Sequence, residues 1–178
     1  MTNEERHLIK QCRIMVIGTD IFVSYLKSEL KSIGFSNIGV GNNTDYQKNI
    51  TTINIISEYG GNESSHLVSD MVSVPIIYPF DFVIGAGAMV IMPGDDKELL
   101  AQTDLRLWAA EYISGYCAFW NMEGCDWLSK ALPEINAGVI NESAQRLASH
   151  ICARIAANIA VGREVKHFPR FYLCRNLE

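Results

Sequence analysis

The chain lacks the features that mark several large classes of protein. No apolar run approaches the ~18 residues of a membrane span, and the charged start MTNEERHLIKQ has no apolar core like that of a secretory signal. The five cysteines form no CxxC pair, so neither a structural zinc site nor a disulfide framework is indicated. We therefore expect a cytoplasmic protein with no membrane segment, no metal site and buried free thiols.

Positive charge is also scarce. The 15 Lys and Arg residues are outnumbered by 20 Asp and Glu residues, which gives a net charge of −5 without any basic run. Nucleic-acid-binding domains carry a basic patch or stripe, so we expect no nucleic-acid partner. The length of 178 residues and the 48% share of hydrophobic residues fit one globular domain over 1–178.

Hydrophobic periodicity predicts strands that alternate with helices. This alternation is typical of βαβ units and predicts an α/β fold: a three-layer, Rossmann-like domain with a mostly parallel sheet and helices on both faces. We expect irregular structure over 121–140. The predicted strands are 12–17, 36–40, 51–57, 80–84, 116–120 and 168–173. The predicted helices are 1–10, the segment from Phe22 to a stop at Gly34, 97–114, and 141–161 with Asn141 as N-cap and Gly162 as stop.

The turn after the first strand bears on what such a fold can bind. Ligands of doubly wound sheets lie beyond the carboxyl ends of the strands, where glycines let phosphates approach the next helix. The turn here reads GTDIFVS, with Gly18 as its only glycine and with Asp20 and Val23 at the other two glycine positions. Asp20 is a natural N-cap. We interpret Asp20 as filling the anion position itself; the alternative is that the turn binds a ligand.

The run CRIMVIGTDIFVSYLKSELKSIGFSNIGVGNN resembles the opening of ThiF/MoeB/ubiquitin-activating-type proteins. Gly18 and Ser24 match the two ends of that family's glycine-rich turn, and Gly34 matches the glycine before its second strand. FDFVI with PGDD, Arg106 with LWAAEYISGYCAFW, and the helix at 141–161 followed by GRE resemble its later segments.

The resemblance implies a nucleotide fold that binds ATP in active members of the family, and NAD(P) is the cofactor considered for a nucleotide-dependent enzyme of another kind. The family's ribose-binding Asp is replaced near Asn42 or Asn43, its phosphate-binding Arg segment has no counterpart in 44–50, and no lysine stands at its catalytic position. The cofactor-binding residues implied in this way, or considered as loop and turn donors, are Gly18, Thr19, Asp20, Ser24, Asn42, Asn43, Gly85, Gly87, Asp95 and Arg106.

These departures bear on activity. Adenylation builds up negative charge at phosphorus and needs cations aimed at it, which this chain does not visibly supply. We therefore predict a divergent, non-catalytic member that acts as a binding or partner module, with a protein or peptide partner and as a homodimer. The alternative is a nucleotide-dependent enzyme, ATP-dependent or NAD(P)-dependent, with an atypical phosphate-binding turn.

Several further residues have both a functional and a structural interpretation. Residues 85–88 (GAGA) are predicted as a loop of backbone donors or as a stretch of close helix–strand packing. Asp95 and Asp96 either bind a ribose or a metal, or simply open a helix. Cys117 and Cys125 are core thiols unless a cation or histidine lies nearby. The basic residues near the C-terminus either contact an acidic partner or phosphate, or protect a strand edge; they are Arg163, Lys166, His167, Arg170 and Arg175.

Overall fold

The computed structural model describes residues 1–18, 20–41, 53–57, 73–96 and 102–175. These residues form helices and strands in an α/β arrangement. In chain order the elements are α1 (Asn3–Gln11), β1 (Arg13–Ile17), α2 (Asp20–Ile33), β2 (Asn37–Val40), β3 (Ile53–Ile56), β4 (Ile76–Asp81), β5 (Gly85–Ile91), α3 (Leu105–Phe119), α4 (Asp126–Asn136), α5 (Glu142–Ala160) and β6 (Tyr172–Arg175).

The strands form one mixed sheet in the order β2-β1-β3-β4-β5-β6. Strands β1 to β4 are parallel to one another. Strand β5 runs antiparallel to β4, and β6 runs antiparallel to β5. The prediction of an α/β fold with a mostly parallel sheet is therefore confirmed, with a reversal of direction at one end that was not predicted.

The first third of the chain follows the local sequence signals closely. A capping box at Thr2 opens α1, and the apolar strand β1 has a fully buried centre. Helix α2 ends where predicted: Gly34 has a φ of +118°, and its amide donates to the Leu30 carbonyl at 3.2 Å. The sequence also predicts a polar turn at 41–44 and a loop with a short helix at 58–73. Of these segments, only Gly41 and Ser73 lie within the described residues.

The middle of the chain forms a β-hairpin that the sequence did not predict. Strand β4 begins at Ile76 rather than at residue 80, and residues 82–84 make the turn. The stretch at 85–88, interpreted from the sequence either as a donor loop or as close helix–strand packing, belongs to the buried strand β5, which pairs with β4 on one side and β6 on the other. The packing interpretation is the one that the structure supports, because small residues here permit close packing.

Two predictions after residue 97 were also wrong. The described part of the predicted helix at 97–114 begins only at Leu105, and this helix α3 continues through the segment predicted as a strand at 116–120. Ala109, Ile113 and Cys117 are buried at helical spacing, so packing outweighs the strand preference of the aromatic residues. The segment predicted as irregular, 121–140, contains helix α4, which includes Pro133.

The last helix confirms its predicted ends. The Asn141 side chain accepts from the Ala144 amide at 3.2 Å, and Gly162 beyond the helix has a φ of +74°. The closing strand is shifted, because β6 begins at Tyr172 rather than at 168. No helix among the described residues is long and apolar enough to cross a membrane.

Side chains of the sheet divide between two core clusters. In β4, Tyr78 and Phe80 belong to a cluster with α3 and α4, whereas Ile77 belongs to a cluster with α1, α2 and α5. Strand β5 alternates in the same way, with Met89 in the first cluster and Val90 in the second. This period of two is expected of strands that are buried on both faces.

Candidate functional site

The carboxyl ends of β1 and β3 lie side by side in the sheet. Because β1 pairs with β2 on one side and with β3 on the other, the strand order reverses between β1 and β3. The order 2-1-3-4-5 is that of flavodoxin-like sheets, in which the ligand binds at this reversal; sheets that bind dinucleotides more often have the order 3-2-1-4-5-6. The candidate ligand position is therefore near Gly18, which follows β1, and Ser57, which follows β3.

Gly18 lies against Ser57. The Ser57 amide donates to the Ile17 carbonyl at 2.8 Å, and a Cβ added at Gly18 would stand 2.9 Å from the Ser57 Cβ. The contact between the two strand ends therefore requires a glycine here, whatever the turn binds. The Ser57 Oγ is buried and has no hydrogen-bond partner among the described residues.

The other residues predicted around this turn are only partly described. Thr19, Asn42 and Asn43 lie outside the described residues. Asp20 is the first residue of α2, which agrees with its predicted place at the start of the helix. Ser24 is exposed on the first turns of α2.

Gly85 and Gly87 serve packing rather than a ligand loop. A Cβ at Gly85 would stand 2.4 Å from the Trp127 ring and 2.6 Å from the Cys174 carbonyl oxygen. A Cβ at Gly87 would stand 2.8 Å from both the Phe82 ring and the Tyr172 carbonyl oxygen. Both glycines are buried, so of their two interpretations the structure supports close packing.

Gly18 lies at the carboxyl ends of the parallel strands, whereas Asp95 lies near their amino-terminal ends. It follows the end of β5, and Ile91 there pairs with Ile76 at the start of β4. The Asp95 carboxylate accepts from the Met92 amide at 2.7 Å and contacts His167 Nδ1 at 2.8 Å. The structure therefore does not bring Asp95 to the carboxyl ends of the strands, and α3 begins only after Asp104. The described residues contain no group of three or more Asp, Glu, His or Cys that could hold a metal ion.

Arg106 lies near the carboxyl end of β4, but its guanidinium binds groups of the protein itself. Its Nε donates to the Asp81 carbonyl at 2.6 Å, one of its terminal nitrogens donates to the Val139 carbonyl, and the same nitrogen lies 3.7 Å from Asp81 Oδ1. The side chain is 11% exposed and the Asp81 side chain 0%. The resemblance implied that Arg106 lies near a nucleotide. In the structure its guanidinium instead binds Asp81 at the end of β4.

Asp81 is the centre of a buried polar cluster at the end of β4. Its two carboxylate oxygens accept from the Val83 and Asn141 amides, each at 2.7 Å. Burial raises the pKa of Asp81 above its ordinary value, although these two hydrogen bonds and Arg106 act in the opposite direction. The cluster joins the β4–β5 turn, the start of α3 and the N-cap of α5.

The turn that Asp81 holds is strained. Val83 has a φ of +68°, which is an unfavourable conformation for a β-branched residue. The Ile84 amide donates to the Phe82 carbonyl at 2.8 Å, so Val83 is the central residue of a γ-turn. The Asp81 carboxylate fixes this turn through the Val83 amide.

A cavity of about 220 Å³ lies next to β6. Trp127 and Phe171 supply aromatic walls, and Leu173 and Arg175 line it from one face of β6. The remaining lining residues are Met122, Glu123, Gly124, Cys125 and Lys166. Cys125 is half-buried, whereas Cys117 behind it is buried.

Sequence reasoning identified some of these residues but not their grouping. Cys125 was considered with Cys117, and Lys166 and Arg175 were considered with the other basic residues near the C-terminus. The alternation of Phe171, Leu173 and Arg175 was a signal of a shared strand face. Asp81 was missed because an acid inside an apolar strand gives no sign of its partners. From the sequence, Trp127 could be interpreted as a pocket residue or as a core or interface residue, but helix α4, which carries it, was not predicted.

These features define the chain as an α/β protein with a mixed sheet, a polar cluster at one strand end and a cavity next to the edge strand. No family model matches the sequence. A search of curated proteins likewise finds no significant match.

Proposed function

We propose that the chain is a non-catalytic binding module with a three-layer, Rossmann-like fold related to ThiF/MoeB-type proteins. The observation that carries this proposal is the engagement of Arg106 by Asp81 and Val139. Adenylation requires cationic groups directed at the reacting phosphate. A guanidinium whose donors bind backbone carbonyls of its own chain does not supply such a group.

An exposed apolar patch supports a role in partner binding. Phe119 and Trp120, at the end of α3, are 79% and 62% exposed, and Met122 is 42% exposed. The two rings pack edge to face with centroids 5.1 Å apart. Aromatic residues and Met are enriched in protein interfaces, and clustered apolar exposure marks such sites. We propose a homodimer interface at this patch.

The binding-module proposal predicts no catalysis with nucleotides. We expect no ATP–pyrophosphate exchange above background with any carboxylate substrate, and no rise in melting temperature with ATP, NAD(P) or S-adenosylmethionine. A ligand of the folded state at 100 times its Kd would add about 2.7 kcal/mol to the free energy of unfolding, which a thermal shift detects easily. Exchange that is lost on substitution of Arg106 would contradict the proposal.

The alternative, a nucleotide-dependent enzyme, has one observation in its favour. The Ser57 hydroxyl is a buried, unpartnered group at the strand-order reversal, where ligands of such sheets bind. If this function holds, one of the three nucleotides raises the melting temperature of the wild type, and Ser57→Ala abolishes that rise. Ser57→Ala is a clean probe, because it removes an unsatisfied hydroxyl and should not lower stability.

The homodimer is tested by charge introduction at the patch. We expect Trp120→Glu to weaken dimerisation by about 30-fold or more, since a central Trp commonly contributes about 2 kcal/mol to an interface. Sedimentation velocity over a concentration series measures the change. Ile21→Glu is the matched control, because Ile21 is also 60% exposed but lies on α2. A wild type that stays monomeric at all concentrations would refute this interface.

A further inference from the structure

The cavity next to β6 has an unusual set of polar groups for its size. Lys166, Arg175 and Glu123 line it. Neither Lys166 nor Arg175 forms an ion pair with a carboxylate in the described part of the chain. Lys166 Nζ instead lies 5.6 Å from the centre of the Tyr172 ring. Two cations are therefore left to attract an anionic group into the cavity.

Two cysteines belong to this region, one in the lining of the cavity and one in the core cluster next to it. Cys125 lines the cavity at the start of α4, with its sulfur 3.9 Å from the Glu123 carbonyl oxygen. Cys117 lies in the last turns of α3 and is a buried member of the core cluster against which Cys125 packs. Burial, together with a hydrogen bond from the Cys117 thiol to Cys125, raises the pKa of Cys117 to about 12. Cys117 is thus a shielded thiol in the core, and Cys125 is a half-buried thiol in the lining of the cavity.

We propose that this cavity is a thiol–disulfide exchange site in which Cys125 reacts with a small, carboxylate-bearing disulfide and Cys117 resolves the product. Glutathione disulfide is a reagent of this class. Each of its halves carries two carboxylates and one ammonium group. The cavity offers two cations, one carboxylate and aromatic walls from Trp127 and Phe171, which is a complementary set. This site goes beyond the proposed binding function and does not depend on it.

The reaction consists of two exchanges that balance. The Cys125 thiolate attacks one sulfur of the disulfide, forms a mixed disulfide and releases one glutathione thiolate, which takes up the proton that Cys125 lost. Cys117 then loses its proton and attacks the Cys125 sulfur, forms the Cys117–Cys125 bond and releases the second glutathione. The protein loses two electrons and two protons, and one glutathione disulfide becomes two glutathiones.

The test uses the full chain and glutathione disulfide, with intact mass and peptide mapping as readouts. We expect the wild type to lose two hydrogens and form the Cys117–Cys125 bond. Cys117→Ser should trap one glutathionyl group on Cys125, whereas Cys125→Ser should form neither product. Cys174→Ser is the matched control, because Cys174 is exposed but does not line the cavity, and it should react as the wild type does.

A second arm tests recognition of charge. Lys166→Gln and Arg175→Gln should each slow the reaction with glutathione disulfide about fivefold, the loss expected for one exposed ionic contact. The same variants should leave the rate with bis(2-hydroxyethyl) disulfide, which is neutral, unchanged. Circular dichroism confirms that the variants are folded. Preferential modification of Cys174, or equal slowing with both disulfides, would overturn the proposal.

Discussion

Replacing Asp81 by alanine is expected to lower the free energy of unfolding by about 3–5 kcal/mol, the range for a buried ion pair that loses one partner. Few other single substitutions in the described residues should cost as much. The reason is that one buried carboxylate satisfies several buried and part-buried groups at once. Its loss affects the β4–β5 turn, α3 and α5 together.

The contacts of Asp81 explain this expected cost. The Val83 and Asn141 amides would lose their 2.7 Å acceptors, and Arg106 would lose the carboxylate that lies 3.7 Å away. Each unsatisfied buried donor costs about 1–3 kcal/mol. The strained conformation of Val83 would also lose the hydrogen bond that holds it. Asp81→Asn should cost less, because the amide oxygen still accepts one of the two bonds.

Urea unfolding measures the difference directly. Glu164→Gln is the control, because Glu164 pairs with Arg170 on the surface at 3.6 Å and exposed pairs contribute only about 0–1 kcal/mol. The double variant Asp81→Ala with Arg106→Met should recover part of the loss, since it removes the uncompensated charge. A loss below about 1 kcal/mol for Asp81→Ala would contradict this account of the cluster.

The pH dependence of stability gives an independent check on Asp81. Its pKa is raised in the folded state, mainly by burial, above the ordinary value of 3.8. The folded protein therefore holds this proton at pH values where the unfolded chain has released it. The corresponding stability is fully present below pH 3.8 and is lost as the pH rises through the folded-state pKa. In the Asp81→Ala variant, this contribution to the pH dependence of the free energy of unfolding should be absent.

The contrast between the two halves of the chain shows what sequence patterns can predict. The β1–α2 unit and its stop at Gly34 depend on local signals, namely a short apolar run, helical spacing and a residue that tolerates positive φ. The strand β5 depends on neighbours that are distant in sequence, since Gly85 is small to admit Trp127. The sequence around residue 85 does not show that Trp127 will pack there, so it cannot predict why a glycine is needed in β5.

The candidate site was harder to predict for the same reason. Arg106 could be recognised as a cation near a strand end, but its partner Asp81 lies 25 residues away and forms an ordinary-looking part of an apolar strand. The cavity combines residues of the α3–α4 connection with residues of β6. Their proximity follows from the reversal of β5 and β6, which the expectation of a mostly parallel sheet did not include.

Gly85→Ala and Gly115→Ala are expected to change stability in opposite directions. A Cβ at Gly85 would clash with the Trp127 ring at 2.4 Å and with the Cys174 carbonyl oxygen at 2.6 Å. The backbone oxygen belongs to the paired strand β6 and cannot move away without loss of pairing. Forcing a methyl group into such a site costs about 1–3 kcal/mol, and at these distances we expect the upper end.

Gly115 is the matched case without a clash. It lies inside α3, and a Cβ there would meet nothing within 4 Å. Because alanine restricts the unfolded chain and favours helix, Gly115→Ala should add about 0.5–1 kcal/mol to the free energy of unfolding. Thermal and urea unfolding of both variants against the wild type give the two signs. If Gly85→Ala is neutral or stabilising, the close contact of Trp127 with β5 does not exist in solution, and the aromatic wall of the cavity must be placed differently.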